Sequence, residues 1–314
     1  LNLKNIDKTY WIIFGLLIIV AIIALFSASS TLVYSHRSAL GPIGQQMFFI
    51  VLGVIAAYGI QFIPTYWVRF GGYILLGLST LLVYSTIIPG NPFVVTINGA
   101  ARWVRIVGIT FQPSELAKLS LIIVIADQLA RIHSEEDKRK YFYRTLIIAG
   151  VVMLPIMASN LSTAVLIGLI VFFLWILARI PWKYTMSVVG IAVVVLTLGY
   201  LIVEFGFVRP KRDMHGPFKR ATTWVSRIDR HFADDENTSK YKLTDENIQE
   251  VYASVAIARG GASPLGVLPG NSKERDYLPL AFADYIFAII VEESGVLGAT
   301  LVIFLYLAIL FRAS

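Results

Sequence analysis

The chain contains no cysteine and few charged residues. Without cysteine it can form neither a disulfide framework nor a thiolate metal site. Charged residues make up only 15% of its 314 residues, whereas a soluble domain carries about 25%. Because 57% of the residues are hydrophobic, one water-soluble globule could not bury all of this apolar surface. Lipid is therefore the expected solvent for most of the chain.

The sequence also lacks a metal-ligand pattern, a cleavage site and a clear nucleic-acid signal. The four histidines, His36, His133, His215 and His231, are scattered without ligand spacing, so we assign no metal site. No small-residue cleavage site follows the first apolar run, which begins near Tyr10, so we interpret it as a retained membrane helix. The net charge of +7 fits basic cytoplasmic loops better than nucleic-acid binding.

Eight apolar runs are long enough to cross a bilayer and predict an all-α, polytopic transmembrane helical bundle. They are Tyr10–Ser29, Met47–Ile63, Gly71–Ile88, Leu116–Ala130, Thr145–Met157, Leu161–Ala178, Tyr184–Phe207 and Tyr285–Phe311. A polar segment around Asn160 separates the fifth run from the sixth and predicts a tight turn or a discontinuous helix.

Basic residues concentrate in alternate connections between these runs. With the N-terminus inside, the cytoplasmic segments hold Lys4, Lys8, Arg69, Arg131, Lys138, Arg139, Lys140, Arg144, Arg179, Lys183 and Arg312. The short outer loops hold only Arg37, Arg102 and Arg105. The positive-inside rule then predicts that both ends of the chain are cytoplasmic and that the long hydrophilic segment 208–283 lies on the outer face.

The outer segment ends in glycines and a carboxylate at the edge of the membrane. Glycines between Arg259 and Ser272 could let backbone amides cradle a phosphate, although a plain loop is the simpler interpretation. Asp284 stands at the entrance of the last apolar run, where the helix dipole favours an ionised carboxylate. It serves either as an N-cap or as a general base for a sugar hydroxyl. The residues alone leave both alternatives open.

Two further polar clusters lie in apolar runs. Adjacent acids inside a span, here Glu292 and Glu293, are rare and indicate a functional or helix-contact role. Glu115 and Lys118 are spaced to form an ion pair on one helix face, with Pro113 in the first helical turn. A structural ion pair is one interpretation. The alternative is that the Lys118 ammonium binds a pyrophosphate at the outer interface, because Lys118 already lies inside its apolar run.

Taken together, several segments resemble one protein family in their residues, order and spacing. The matching segments are Gly99–Trp103, Gln112–Lys118, Gln249 followed by Ala256–Gly261, Pro269–Ser272, Tyr277–Pro279 and Asp284–Gly295. They make the chain similar to the SEDS family (shape, elongation, division and sporulation) of peptidoglycan glycosyltransferases. Gly270-Asn271-Ser272 resembles the division-type, FtsW-like branch more than the related RodA branch.

The resemblance implies an enzyme that polymerises lipid II into glycan strands at the outer face of the bacterial inner membrane during cell division. It implies Asp284 as the catalytic base of an inverting transfer, with undecaprenyl pyrophosphate as the leaving group. The substrate-binding residues that it implies are Arg102, Trp103, Gln112, Ser114, Glu115, Lys118, Gly270, Asn271 and Ser272. A divalent cation (Mg²⁺ or Mn²⁺) between an outer acid and the pyrophosphate is left open.

The resemblance also sets expectations for partners and domains. Besides lipid II and the membrane, the expected partners are a cognate class B penicillin-binding protein and other membrane proteins of the division machinery, and no nucleic acid. We expect one SEDS-type transmembrane domain over residues 1–314, with 208–283 as its large extracytoplasmic loop between spans 7 and 8. Because the family has ten spans, the last two helices are expected to lie outside this chain.

Some positions depart from the family pattern. Gln45, Asn160, Leu280, Phe282 and Ala283 each stand where the family has a different polar or charged residue. A lipid II flippase and a non-catalytic division scaffold are kept as alternatives. Acids inside the membrane suit a transporter, but the sequence has no internal repeat and its polar residues cluster at the outer face. These two features favour the enzyme.

Overall fold

The chain is mainly helical, with one small sheet between its third and fourth helices. The computed structural model describes residues 7–35, 40–88, 90–97, 100–106, 108–208, 221–222, 225, 248–274 and 285–313. They form helices α1 (Lys8–Ser35), α2 (Leu40–Ile60) and α3 (Thr65–Ser85), then strands β1 (Val94–Ile97), β2 (Ala100–Ile106) and β3 (Ile109–Phe111). Helices α4 (Pro113–Leu129), α5 (Glu135–Ser159), α6 (Leu161–Leu177), α7 (Trp182–Val203), α8 (Ile248–Gly261) and α9 (Ile286–Ala313) follow.

Five of the described helices are long and apolar enough to cross a membrane, by length and composition. They are Lys8–Ala28, Thr65–Ser85, Glu135–Ser159, Trp182–Val208 and Ile286–Arg312. Large apolar side chains on them are exposed: Leu81 is 70% exposed and Phe311 78%. Such exposure is expected against lipid rather than water. Each predicted apolar run overlaps a helix, which confirms a polytopic helical protein, while the count of eight crossings stays a prediction.

The chain divides into two compact units, Leu1–Phe62 with Asp235–Ser314, and Ile63–Asp234. In the first unit, α9 packs against α8 and α1. Arg312, at the end of α9, forms an ion pair with Asp7, just before α1. The hydrogen bond from Arg312 lowers the pKa of the Asp7 carboxyl. This pair brings the start of α1 and the end of α9 to the same end of the unit.

The second unit is built around α4, which contacts α3, α5 and α6. Leu121 and Ile125 of α4 are fully buried. Ile156 of α5 and Ile167 of α6 are almost fully buried. The indole N–H of Trp175 in α6 donates to the Thr145 hydroxyl of α5 over 2.9 Å. Because this polar contact is buried within an apolar core, it fixes the register of α5 and α6 more sharply than apolar contacts alone would.

The sheet is a feature that the all-α prediction missed. Its three strands are antiparallel in the order β1-β2-β3, with Val94 opposite Val104 and Val104 opposite Phe111. Val104 is 1% exposed, so the middle strand contributes to the core. The strands are short and two of them have fewer than five residues. Periodicity over so few residues does not distinguish a strand from a loop.

The predicted break between the fifth and sixth apolar runs is confirmed at Asn160. This residue ends α5 and begins α6 with a non-helical backbone conformation (φ −154°, ψ 88°). Its side-chain oxygen accepts a hydrogen bond from the backbone N–H of Thr163 over 3.2 Å. The asparagine therefore caps the start of α6 and satisfies a backbone donor that would otherwise lack a partner inside the membrane.

The α6–α7 turn holds an arginine in a left-handed conformation. Arg179 has φ +53°, in the region that favours glycine. The backbone N–H of Ile180 bonds the carbonyl of Trp175 (3.0 Å), and that of Arg179 bonds Ile176 (2.9 Å). These two bonds are those of a Schellman motif, in which the residue at this position is usually glycine. An arginine here strains the backbone by about 1–2 kcal/mol.

Candidate functional site

Glu292 of α9 is the centre of a buried polar network in the first unit. Its side chain is fully buried, and its carboxylate lies 3.3 Å from the Nη1 atom of Arg259 in α8. The hydroxyl of Ser272 and the backbone N–H of Lys273 (3.2 Å) also donate to it. These three donors, one of them a cation, together compensate the cost of burying this charge.

The neighbouring acid, Glu293, connects two other parts of the same unit. Its carboxylate accepts a hydrogen bond from the backbone N–H of Gly270 over 3.0 Å and another from the hydroxyl of Ser27 in α1. The two acids therefore bind three elements to α9: helix α1, helix α8 and the segment 262–274. These contacts agree with the prediction that the two acids have a role in contacts between helices.

Helix α9 is discontinuous at Gly295, three residues after Glu292. Gly295 has φ +65° and ψ −163°, which interrupts the helical backbone. The segment after α8 supplies hydrogen bonds at the break: the N–H of Val267 bonds the Glu292 carbonyl (2.9 Å), and the N–H of Leu297 bonds the Pro264 carbonyl (3.2 Å). Such a break is tolerated at membrane depth only where protein satisfies the freed backbone groups.

Two glycines allow this close contact. A Cβ atom on Gly260 would lie 2.0 Å from the Val291 carbonyl oxygen, and one on Gly266 would lie 2.4 Å from the Glu292 carbonyl oxygen. The sequence analysis treated the glycine-rich stretch as a loop, but its first part forms the last turn of α8. These glycines serve close approach of two backbones rather than a flexible phosphate cradle.

The predicted residues of segment 262–274 differ in accessibility. Gly270 and Asn271 are exposed, and the Asn271 amide donates to the Val267 carbonyl (3.1 Å). Ser272 is 3% exposed, and its hydroxyl donates to Glu292. Gly270 and Asn271 can therefore reach a substrate directly, whereas the observed contact of Ser272 is with the buried acid. Asp284 lies outside the described residues, which resume at Tyr285.

The other predicted binding residues belong to the second unit. Arg102 and Trp103 lie in β2, and the Arg102 Nε and Trp103 Nε1 atoms are buried without a hydrogen-bond partner among the described residues. A buried donor without a partner costs about 1–3 kcal/mol. A ligand or a water molecule that accepts hydrogen bonds from these two N–H groups would remove that cost.

The start of α4 carries the remaining four predicted residues. Gln112 precedes the helix and donates its amide N–H to the Ser114 hydroxyl (2.9 Å), and Pro113 occupies the first turn. The Lys118 ammonium lies 2.7 Å from the Glu115 carboxylate, so the predicted ion pair is observed. Strand β2 pairs with β3, and β3 runs directly into α4. The six predicted residues of this unit, two in β2 and four at the start of α4, therefore lie on adjacent elements. Their role in binding stays a prediction.

A third buried acid, Asp127 of α4, was not predicted from the sequence. Its carboxylate lies 2.6 Å from Arg131 and 3.3 Å from Arg69, and it accepts a hydrogen bond from the Tyr73 hydroxyl (2.9 Å). The spacing of Asp127 and Arg131 was a visible signal for an ion pair within one helix. The partners on α3 are more than fifty positions away in sequence and gave none.

No group of three His, Asp or Glu side chains in the described part of the chain is arranged to hold a metal ion. Asp284 is outside that part, so a divalent cation between a carboxylate and a pyrophosphate stays an open prediction. The described acids at the centre of the first unit already have protein partners, and the network needs no ion to balance Glu292.

Apolar helices of spanning length, one of them broken, and a network of buried acids define a polytopic membrane protein. The family model FTSW_RODA_SPOVE, described as "Cell cycle protein", matches residues 7–314. The chain therefore belongs to this family, and the predicted resemblance to SEDS proteins is confirmed.

Curated relatives are similar over nearly the whole chain. The "Probable peptidoglycan glycosyltransferase FtsW" of Enterococcus hirae is 30% identical, over 97% of this chain and 75% of that protein. The protein of the same name from Coxiella burnetii is 28% identical, over 96% of this chain and 76% of that protein. A "Putative peptidoglycan glycosyltransferase FtsW" of Cyanophora paradoxa is 26% identical, over 92% and 65%. The chain thus spans 65% to 76% of these relatives.

Solved structures share the fold. A chain from a study entitled "Structural coordination of polymerization and crosslinking by a peptidoglycan synthase complex" superposes with a TM-score of 0.64 at 20% identity, covering 98% of this chain and 77% of that one. The rod shape determining protein RodA of Thermus thermophilus superposes with a TM-score of 0.58 at 17% identity, covering 99% and 75%.

Proposed function

We propose that this protein is a peptidoglycan glycosyltransferase that polymerises lipid II during cell division, at the outer face of the bacterial inner membrane. Its family and the names of its relatives support this activity. The structural observation that carries the proposal is the network around Glu292 and Glu293, which fixes segment 262–274 to α9. Asp284 immediately precedes this supported helix in sequence. A catalytic carboxylate requires such a rigid support.

The proposed orientation places both ends of the chain in the cytoplasm. The basic residues between spans favour it through the positive-inside rule. The ion pair of Asp7 with Arg312 independently supports a common side for both ends, because it brings the start of α1 and the end of α9 together. An even number of crossings then separates the two ends, and segment 208–283 lies outside, where lipid II is polymerised.

In the proposed chemistry, Asp284 acts as a general base in an inverting displacement. Its carboxylate accepts the proton of the acceptor's GlcNAc 4-hydroxyl as that oxygen forms a bond to C1 of the donor MurNAc. The bond from C1 to the phosphate oxygen breaks, and undecaprenyl pyrophosphate leaves with the electron pair. Positioning of the two sugars supplies much of the rate, since an oriented pair reacts as one molecule.

Lipid II contacts are proposed for the predicted residues of both units. The N–H groups of Arg102 and Trp103, which have no partner among the described residues, are proposed to donate to sugar or phosphate oxygens. Lys118 offers a charge to a pyrophosphate if Glu115 releases it, and the pair is only partly buried, so this release costs little. Gly270 and Asn271 are exposed and are the proposed contacts in the first unit.

Polymerisation of lipid II in liposomes tests this function, with a cognate class B penicillin-binding protein included as the proposed partner. Asp284→Asn removes the base while keeping the size of the side chain, and we expect product to fall by at least about 10²-fold. Glu250→Gln is the matched control, because it neutralises an exposed carboxylate of α8 in the same outer segment. We expect this control to retain full activity.

Three results would contradict the proposal. Wild-type activity in the Asp284→Asn protein would exclude this residue as the base. Transport of lipid II across the same liposomes, without glycan strands from either protein, would establish the flippase alternative. Retention of division complexes without polymerisation or transport would instead establish the scaffold.

A further inference from the structure

A cavity opens in the second unit between the end of α4, the start of α5 and the α6–α7 turn. Its volume is about 680 Å³, and it is open to its surroundings rather than enclosed. Leu129, Leu174 and Leu177 supply apolar lining, while Lys138 and Arg179 add positive charge. A ligand that matches this lining has both an apolar part and an anionic part.

Arg179 is the residue that points to an anion. It occupies the left-handed position of the α6–α7 turn, where glycine is favoured, so backbone geometry does not explain an arginine there. Its guanidinium is exposed and has neither an ion pair nor a side-chain hydrogen bond among the described residues. Lys138, in contrast, pairs with Glu135 over 2.5 Å. Arg179 is therefore a positive charge in the lining of the cavity that no described residue neutralises.

The surroundings of the cavity have the character of a membrane boundary. Leu177, at the end of α6, is 78% exposed, and Phe173 one turn earlier is 59% exposed. Trp182, the first residue of α7, is 62% exposed, as expected for an aromatic residue at the interface of lipid and water. A soluble anion would not benefit from these exposed apolar side chains, whereas a lipid would contact them with its acyl chain.

We propose that this cavity binds an anionic phospholipid of the cytoplasmic leaflet, with the phosphate on Arg179 and an acyl chain along the leucine lining. Basic pockets at the cytoplasmic ends of membrane helices bind anionic head groups in this way. The proposal rests on the proposed orientation of the chain and is independent of its glycosyltransferase activity. The simplest competing role of Arg179 is to complement the dipole at the end of α6, which would bring no lipid preference.

Native mass spectrometry of the full chain, released from nanodiscs of phosphatidylglycerol and phosphatidylethanolamine, tests the proposal. We expect wild type to retain one phosphatidylglycerol in preference to phosphatidylethanolamine. Arg179→Gly should reduce this retention about fivefold, the factor expected for loss of one cation at the surface. Because glycine suits the turn, this variant should fold at least as well as wild type. Lys138→Gln provides a second substitution in the same cavity.

The control is Arg139→Gln, which removes the same charge from the exposed face of α5 outside the cavity. We expect it to leave lipid retention unchanged, and we expect glycerol 3-phosphate, which lacks acyl chains, not to displace the lipid. Equal losses in Arg179→Gly and Arg139→Gln would reduce the effect to diffuse surface charge and overturn the proposal. Displacement by glycerol 3-phosphate would show a site for free phosphates and would overturn it as well.

Discussion

Glu292 and Arg259 differ sharply in their access to water, although they form one ion pair. The glutamate side chain is fully buried, whereas a third of the arginine side chain is exposed. Loss of the arginine leaves a buried carboxylate without its cation, but loss of the glutamate leaves an arginine that can reach water. The two single substitutions should therefore have unequal costs.

We expect Arg259→Gln to lower the free energy of unfolding by about 3 kcal/mol and Glu292→Gln by about half of that. The double substitution should cost less than the sum of the two, because it leaves no unpaired charge. Thermal unfolding of the four proteins in detergent measures this cycle. Equal costs for the single substitutions would contradict the argument from unequal burial, and simple addition in the double would show that the pair contributes no net coupling.

At the residue scale, the sequence predicts which polar residues are unusual better than it predicts their partners. The adjacent acids Glu292 and Glu293 stood out because charges inside an apolar run are rare. Their partners could not be foreseen, since Ser272 and Arg259 lie 20 and 33 positions before Glu292. The Glu115–Lys118 pair was predictable because both residues lie on one helix face, which local spacing alone determines.

The contact between α8 and α9 depends on one of two adjacent glycines. A Cβ atom at Gly260 would lie 2.0 Å from the Val291 carbonyl oxygen, but one at Gly261 would meet nothing within 4 Å. We expect Gly260→Ala to separate the helices and to destabilise the protein by about 1–3 kcal/mol or more, with loss of polymerisation. Gly261→Ala should be neutral or slightly stabilising, because alanine favours the helix.

This adjacent pair separates packing from helix propensity. Thermal unfolding and lipid II polymerisation would be measured for both alanine variants beside wild type. Similar behaviour of the two variants would show that the α8–α9 contact is not the reason for glycine at position 260.

The break between α5 and α6 gives a prediction about Asn160, one of the positions that depart from the family pattern. Asn160→Ala removes the cap on the Thr163 N–H and should cost about 1 kcal/mol. Asn160→Asp restores the acidic residue typical of the family and keeps an oxygen acceptor at the helix start, where negative charge is favoured. We expect its thermal midpoint to match wild type. A midpoint as low as that of the alanine variant would show that the cap is not the role of this residue.

Helices, strands and helix breaks differ in how well they can be predicted from the sequence. The break at Asn160 was foreseen because a polar group interrupted an apolar stretch of otherwise sufficient length. Strands β1 to β3 were missed because each is short and lies between apolar runs that dominate the pattern. The sequence did not predict the kink at Gly295 either, since the kink depends on a hydrogen bond donated by the Val267 N–H and one accepted by the Pro264 carbonyl rather than on local residues.

For the molecule as a whole, different residues determine where the membrane helices lie along the chain and on which side of the membrane each connection lies. Apolar runs determine where helices lie, because a bilayer needs about 20 apolar residues to be crossed. Basic residues determine the side of each connection. The ion pair of Asp7 with Arg312 adds a three-dimensional constraint, that the start of α1 and the end of α9 lie at one end of their unit.

The absence of cysteine makes the proposed orientation directly testable, because any introduced thiol is the only one in these 314 residues. Glu136→Cys places it at the exposed start of α5, on the proposed cytoplasmic side, and Glu250→Cys places it on α8, on the proposed outer side. A membrane-impermeant maleimide added to intact spheroplasts should label only Glu250→Cys, and both variants after lysis. Labelling of Glu136→Cys alone in intact spheroplasts would show that the topology is the reverse of the proposed one. The Asp284 chemistry would then face the cytoplasm, where an enzyme that polymerises lipid II at the outer face could not act.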